Sequence, residues 1–438
     1  MSELDQLAEL SRRPDRLPRK ISDVCEFVRD GDWIETKDQG GDAYRLLQVS
    51  NIGVGHFIET GKYRYINKET FERLNCTEIQ NNDVLVARMP EPTGRAWWAH
   101  TLSGKAITAV DVAILRPDPS AVLGQYLAYV LNSPACLSLV NSMTTGTTRL
   151  RIRRHDIAQI KISLPSLIEQ REIASILGAL DDKIELNRRM NATLKAMARA
   201  FFQSWFVDFD PVRAKAEGRQ PVGMDPDTAA LFPDSFEDSE LGPIPKGWEI
   251  RPLDEIAHFL NGLALQKFPV SGSTSLPVVK IAQLNNGHDT TRADRCSDNI
   301  PQDYVVRDGD VLFSWSGSLE VEVWTGGDGA LNQHLFKVSS QTYPKWFYYL
   351  WTLSHLENFR SIAAGKATTM GHIQRKHLSD AKVLIPSSTL LLKLGEIFAP
   401  LVASSTARML HAKDLEKLRD TLLPKLLDGE LRVGDFAA

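Results

Sequence analysis

Between Thr144 and Lys161 the chain reads TTGTTRLRIRRHDIAQIK, setting Arg149, Arg151, Arg153, Arg154 and Lys161 against the single carboxylate of Asp156. That is a local excess of four positive charges in a chain whose formal net charge is -4. Phosphate oxygens are the natural counter-charge for such a row. The alternation Arg149, Leu150, Arg151, Ile152, Arg153 predicts a strand with its arginines on one face, able to meet phosphates or to aim paired N–H donors at guanine edges. Thr145 and Thr147 lead into the row and join it as candidate contacts.

Further candidates lie where short apolar runs end in glycine- or asparagine-bearing turns. Arg88 and Arg95 bracket the loop RMPEPTGR, and Ser314, Trp315 and Ser316 form its counterpart later in the chain. Glycine-rich loops bearing Ser or Arg suit close backbone approach to a groove. Lys37 and Asn51 in the first half, and Lys280, Asn285, Gln333 and His334 in the second, carry donors suited to the same task. The segment Gly365 to Lys382 adds Lys366, Thr368, Thr369, His372 and Arg375.

The familiar catalytic motifs are missing from the sequence. The sequence has no G-x-x-x-x-G-K-[ST] phosphate loop, no H-E-x-x-H and no G-x-S-x-G. It also lacks the Asn/Asp-Pro-Pro-aromatic motif of amino-methyltransferases and a glycine-rich loop after a strand for S-adenosylmethionine. Pro233-Asp234 followed by Glu237-Asp238-Ser239 has serine where a nuclease motif requires lysine, and Asp208 with Asp210 reads as a solvated structural pair at a helix end. Cys25, Cys76, Cys136 and Cys296 show no C-x-x-C or Cys/His pairing, so neither a zinc site nor a disulfide framework is expected. A reducing cytoplasm fits them. The first twenty residues contain no apolar h-region and no run of about 18 apolar residues occurs, so export and membrane insertion are not expected.

The elements that position these residues occur twice. At an offset of 221, Thr147, Thr148, Ile152, Arg154, Lys161, Pro165 and Ser166 fall on Thr368, Thr369, Ile373, Arg375, Lys382, Pro386 and Ser387. Upstream, Asp83-Val84-Leu85 falls on Asp310-Val311-Leu312 at 227, and Asn51 and Gly55 fall on Gln283 and Gly287 at 232. Stepwise offsets are what loop deletions between equivalent elements produce. Each copy opens with an α/β part, whose runs Tyr44 to Asn51, Asp83 to Arg88, Val278 to Leu284 and Asp310 to Ser314 predict strands.

A long helical part follows each, starting after Leu164-Pro165-Ser166 and Ile385-Pro386-Ser387, where serine can cap. In the first, Ile173, Leu177, Leu180, Ile184, Asn187, Asn191, Leu194, Ala198, Phe201 and Trp205 step by alternating four and three, a heptad seam. The equivalent seam runs from Leu394 to Leu426 and is also polar in the middle, with Ser405 and Arg408. Two such helices, each about 60 Å long at about 1.5 Å per residue, are expected to pack on each other, with Asn187 and Asn191 setting register. Pro400 is expected to kink the second or move its start. Residues 207 to 245, Pro-, Gly- and Asp-rich with nine acidic against three basic residues up to 240, read as a linker.

With these features the chain resembles the DNA-specificity subunits of type I restriction-modification systems over nearly its whole length. The resemblance rests on Phe202-Gln203-Ser204-Trp205-Phe206-Val207-Asp208-Phe209-Asp210-Pro211, on Leu241-Gly242-Pro243-Ile244-Pro245-Lys246-Gly247-Trp248-Glu249 and on Leu418-Arg419-Asp420-Thr421-Leu422-Leu423-Pro424-Lys425-Leu426-Leu427-Asp428-Gly429-Glu430-Leu431. Glu169-Gln170-Arg171-Glu172-Ile173-Ala174 and Gly309-Asp310-Val311-Leu312-Phe313-Ser314 belong to the same pattern. It implies an α+β protein with two repeated α/β target-recognition domains, inverted and separated by a pair of long antiparallel coiled-coil-like helices.

The expected division is a tail at 1–20, recognition domain 1 at 21–165, a spacer helix at 166–206, the acidic linker at 207–245, recognition domain 2 at 246–386, a second spacer helix at 387–431 and a tail at 432–438. The implied partners are double-stranded DNA, two modification (methyltransferase) subunits and two restriction (motor and nuclease) subunits, with no membrane. S-adenosylmethionine, ATP and Mg would be used by those partners, with no cofactor on this chain. The competing expectations are a self-sufficient methyltransferase or nuclease, and a free-standing sequence-specific DNA-binding protein.

Overall fold

The computed structural model describes residues 16–100, 102–146, 150–365 and 371–433. It divides into two compact units, Met1–Lys183 with Leu415–Ala438 (unit 1) and Ile184–Asp414 (unit 2).

Unit 1 contains an antiparallel sheet in the order Cys25–Asp30, Val112–Pro117, Val84–Ala87, Ala96–Trp98. A second sheet holds Tyr65–Ile66, Tyr44–Leu47 and Ala106–Thr108, the last two parallel. Leu17–Lys20 pairs with Lys161–Leu164. Unit 2 repeats this plan. His258–Asn261, Leu335–Ser339, Val311–Ser314 and Val321–Val323 form the first sheet in the same order, Leu276–Val279 runs parallel to Gly329–Leu331 in the second, and Glu249–Pro252 pairs with Lys382–Ile385. The runs Val84–Ala87 and Val311–Ser314 are buried at every residue, which fits their apolar composition, broken only by Ser314.

The runs expected as strands over Tyr44 to Asn51 and Val278 to Leu284 stop early, at Leu47 and Val279, and turn into helical segments. The cause is the same side-chain capture in both units. The Asn51 side chain accepts from the Gln48 backbone N–H at 2.9 Å, and Gln283 accepts from the Lys280 N–H at 3.1 Å, taking donors that a strand would need.

The long helices are α1 (Leu167–Phe202), continued by a π turn at Gln203–Val207, and α2 (Ser388–Leu427). Their starts follow the expected serine caps: Ser166 Oγ accepts from the Glu169 N–H and Ser387 Oγ from the Leu390 N–H, each at 3.3 Å. The helix α2 continues through Pro400 instead of starting after it.

Within each unit, residues ascending α1 meet residues descending α2, so the pair is antiparallel. In unit 1, Ile173 and Leu177 share a core with Leu423 and Leu426, and Asp181 pairs with Arg419 at 2.8 Å. In unit 2, Asn187 meets His411 at 3.3 Å, Asn191 accepts from Ser405, and the rings of Phe202 and Phe398 lie 6.2 Å apart. By length and apolar content α2 would pass as a membrane span. Four of its apolar residues, Leu390, Leu394, Phe398 and Val402, are buried in the aromatic core of unit 2.

The segment 207–245 is not a linker. It folds into helices Asp210–Ala216 and Pro226–Leu231 and a hairpin of Phe236–Ser239 with Gly242–Pro245. Val212, Phe232 and Ile244 enter the unit 2 core beside Phe206 and Trp248. Acidic residues dominate its composition, but they lie around a few large apolar anchors that a charge count does not register. Asp208 and Asp210 accept from Gln203 and Ser204 at 2.9 and 2.7 Å and so hold the turn after α1.

Candidate nucleic-acid interface

In both units three separated segments converge at one end of the first sheet. The Arg88 N–H donates to Asp111 O at 2.9 Å, and its carbonyl accepts from the Ile152 N–H at 3.1 Å. In unit 2 the Trp315 N–H donates to His334 O at 3.4 Å, and its carbonyl accepts from the Ile373 N–H at 2.9 Å. Ile152 and Ile373 are buried anchors, so the segment after each basic or polar run is pinned to the loop that follows the central strand. The last residue of the first strand completes the frame. Asp30 pairs with the Arg88 guanidinium, and Asn261 Oδ1 accepts from Trp315 Nε1 at 3.0 Å.

The side chains on this frame differ. Unit 1 carries an ion network in which Arg151 pairs with Asp111 at 3.0 Å and Arg154 approaches Asp30 at 3.9 Å. Unit 2 carries rings. Trp315 lies 5.7 Å from His334 and 6.4 Å from His372, and Ser316 Oγ meets His334 Nδ1 at 3.0 Å. Gln333 reaches His334 at 3.4 Å, and Arg375 bonds Phe259 O at 3.2 Å while lying over Phe336.

Several expected contacts occupy other roles. Arg88 is buried and also holds Ile152 O at 3.1 Å and Val110 O at 3.2 Å; burial lowers its pKa, with Asp30 opposing. Arg95 is buried too, donating to Ile52 O, Val49 O, Met89 O and Pro92 O at 2.6 to 2.9 Å. Neither offers a surface guanidinium, because each stitches carbonyls that its loop leaves without strand partners. Asn51 faces inward and bonds Ile58 O at 3.0 Å. Ser314, fully buried, donates to Ser318 O at 2.6 Å and accepts from the Glu320 N–H at 2.7 Å.

Among the described residues, 150–153, the one-faced arginine strand does not form. Thr145 and Arg151 make an isolated antiparallel bridge, Leu150 is exposed, and Arg153 already precedes a helix at Arg154–Gln159, paired with Asp156 at 2.8 Å. The buried Ile152 and the Arg153–Asp156 pair end the extended run. Thr147, Arg149, Lys366, Thr368 and Thr369 lie outside the described residues. Lys37 is exposed and paired with Glu35 at 2.8 Å, Lys280 is paired with Asp294, and Asn285 is exposed.

Sequence reading missed Asp30, Asp111 and Asn261, whose types alone do not mark them, and Trp33. The last is 70% exposed. It follows Asp32, whose N–H bonds Thr108 O at 2.8 Å, so it projects from the strand end that carries Asp30. Its indole N–H donates to Glu35 at 3.4 Å, and a large exposed ring of this kind is a recognition feature.

A duplicated frame bearing a different polar set in each copy is the build of a recognition protein. A family profile described as "Type I restriction modification DNA specificity domain" matches residues 17–196 and 245–390. The chain belongs to this family, whose members are recognition components and not catalysts.

Among similar proteins, the type I restriction enzyme MjaIX specificity subunit of Methanocaldococcus jannaschii is 25% identical over 95% of this chain and 97% of its own length. The HindI specificity subunit of Haemophilus influenzae is 23% identical over 81% and 87%. The crystal structure of the type I restriction-modification S subunit from M. genitalium superposes with a TM-score of 0.55 at 16% identity, covering 95% of this chain and 98% of that one, and supports the fold.

Proposed function

We propose that this specificity chain reads a bipartite double-stranded DNA target, one half with each unit, and directs adenine methylation and ATP-dependent restriction by two modification and two restriction subunits. S-adenosylmethionine, ATP and Mg are used by those partners in the cytoplasm. The observation that carries the reading is the duplicated frame at Arg88, Asp111 and Ile152 and at Trp315, His334 and Ile373, with unlike side chains on like backbone hydrogen bonds. Unlike side chains on a common frame are what two different half-sites call for. The four cysteines are free, which suits a reducing compartment, and burial pushes the thiols of Cys25, Cys76 and Cys136 up to about 12 and so keeps them unreactive.

Helix length sets the spacing between the half-sites in this reading. Removing one heptad from each helix, residues 184–190 and 405–411, shortens the pair by about 10.5 Å, or roughly three base pairs. Mapping methylated adenines in cells that carry the shortened chain is expected to show a closer spacing between unchanged halves. An unchanged spacing rejects the ruler. Recovery of the chain with no large partner subunits would favour a free-standing DNA-binding protein instead.

A further inference from the structure

We propose that base discrimination within each half-site is set by four equivalent positions: Asp30, Arg88, Asp111 and Arg151 in unit 1, and Asn261, Trp315, His334 and His372 in unit 2. This rests on the proposed function and adds the residues that give it specificity.

The positions are equivalent by backbone, not by side-chain type. Asp30 pairs across its sheet with Ala113, and Asn261 with Phe336, at the same place in the two strand orders. Arg88 and Trp315 each donate their N–H to the turn residue, Asp111 or His334, and each accept from the isoleucine that follows Arg151 or His372. The flanking residues are alike, with Ile152 and Ile373 buried and Arg154 and Arg375 both opening a short helix. Difference is therefore concentrated where the side chains touch one another. Asp30 holds Arg88 and Asp111 holds Arg151, whereas Asn261 holds Trp315, whose ring lies near His334 and His372.

The chemistry of each set follows. The Arg151 side chain is 39% exposed, and one of its terminal nitrogens is held by Asp111 at 3.0 Å. Its Nε is buried with no partner among the described residues. A carboxylate beside an arginine weakens its pull on phosphate and fixes the plane of its fork, which favours the paired acceptors of guanine over a backbone oxygen. Arg151 is thus the base-contacting residue of unit 1, and Asp111, Asp30 and Arg88 are positioning residues. In unit 2 His334 is a positioning residue, its Nδ1 meeting Ser316 Oγ at 3.0 Å and its Nε2 meeting Gln333 at 3.4 Å, and the His372 imidazole beside the Trp315 ring is a group unlike arginine that selects a different base pair.

The test uses the full chain in its host with its own partner subunits, and maps methylated adenines across the genome. Deleting the chain must abolish a bipartite motif; if the motif survives, the proposed function fails, whatever the fate of the four positions. With that motif in hand, R151Q is expected to relax preference for one guanine in one half by about tenfold or more while the other half keeps its bases. D111N is expected to relax the same position, and D111E to restore part of the preference. H372Q is expected to relax a position in the opposite half. Weaker methylation with both halves unchanged in R151Q and H372Q alike, or loss of all methylation in both, would assign these residues to structure and overturn the proposal.

Discussion

The two reading ends share a skeleton and differ in how they are held together. In unit 1 the end of the sheet is bound by charge, with Arg88, Arg151 and Arg154 set against Asp30 and Asp111. In unit 2 the same backbone places are bound by Trp315, tilted against His334 and Phe336 and edge-on to His372, with a neutral Asn261 as acceptor. The difference teaches that the fold specifies hydrogen-bonded backbone contacts and leaves the side chains between them open to change. It also means that the two ends should fail in different ways.

The largest difference is expected on removing Arg88. R88A would leave Asp30 without its main partner and Ile152 O, Val110 O without a donor, costing unit 1 about 3 kcal/mol. Hydrogen exchange that follows the strands of each unit separately would read the loss in unit 1 with unit 2 unmoved. Equal destabilisation of both, or of neither, would break the contrast between a charge-bound and a ring-bound end.

Acid pH is expected to push the units in opposite directions. His288 is buried beside Lys413 and Lys195, which holds its pKa at about 3, and its Nδ1 accepts from the Thr325 N–H at 3.2 Å. The folded ring stays neutral while an unfolded one binds a proton below about 6.5, so unit 2 loses stability as pH falls from there toward 3, by about 2 kcal/mol at pH 5. Burial raises Asp32 in unit 1 to about 6, against hydrogen bonds from Thr77 and Cys76. The folded carboxyl binds a proton that the unfolded one does not, so unit 1 gains stability from about pH 6 down to about 4. The variants H288N, suited to the positive φ of 64° and still offering an acceptor, and D32N should each flatten the pH response of their own unit alone. Thermal melts at pH 7 and pH 5 would check both slopes.

The contrast between the ends was only partly visible in the amino-acid order. The duplication, the serine caps at Ser166 and Ser387 and the polar middle of the seam were legible, because each depends on local residue type at a fixed spacing. Asn51, Arg88 and Arg95 misled for one reason: a polar side chain after a strand suits a groove and an internal carbonyl equally well, and burial decides between them. The linker misled because a few anchors, Val212, Phe232 and Ile244, outweigh many exposed acids in energy though not in number. Asp30 and Asp111 went unseen because their role exists only across contacts distant in sequence.

The smallest expected effect separates charge from apolar contact in unit 1. Replacing Arg151, Arg153 and Arg154 together with alanine removes side chains that are 39%, 69% and 50% exposed and leaves Asp30 and Asp111 in place. If all three meet phosphates, the slope of log affinity against log salt falls by about 0.9 for each, near three in total. If Arg151 is held by Asp111 to read a base, the slope falls by nearer two, and the remaining loss of about 1 to 3 kcal/mol is the same at every salt concentration. The variant W33A sets the scale for a contact without charge: affinity drops by about 1 kcal/mol and the slope does not move. Binding measured at several salt concentrations on one duplex distinguishes these outcomes. An unchanged slope in the triple variant would remove the described arginines from the interface and leave recognition by unit 1 to other loops.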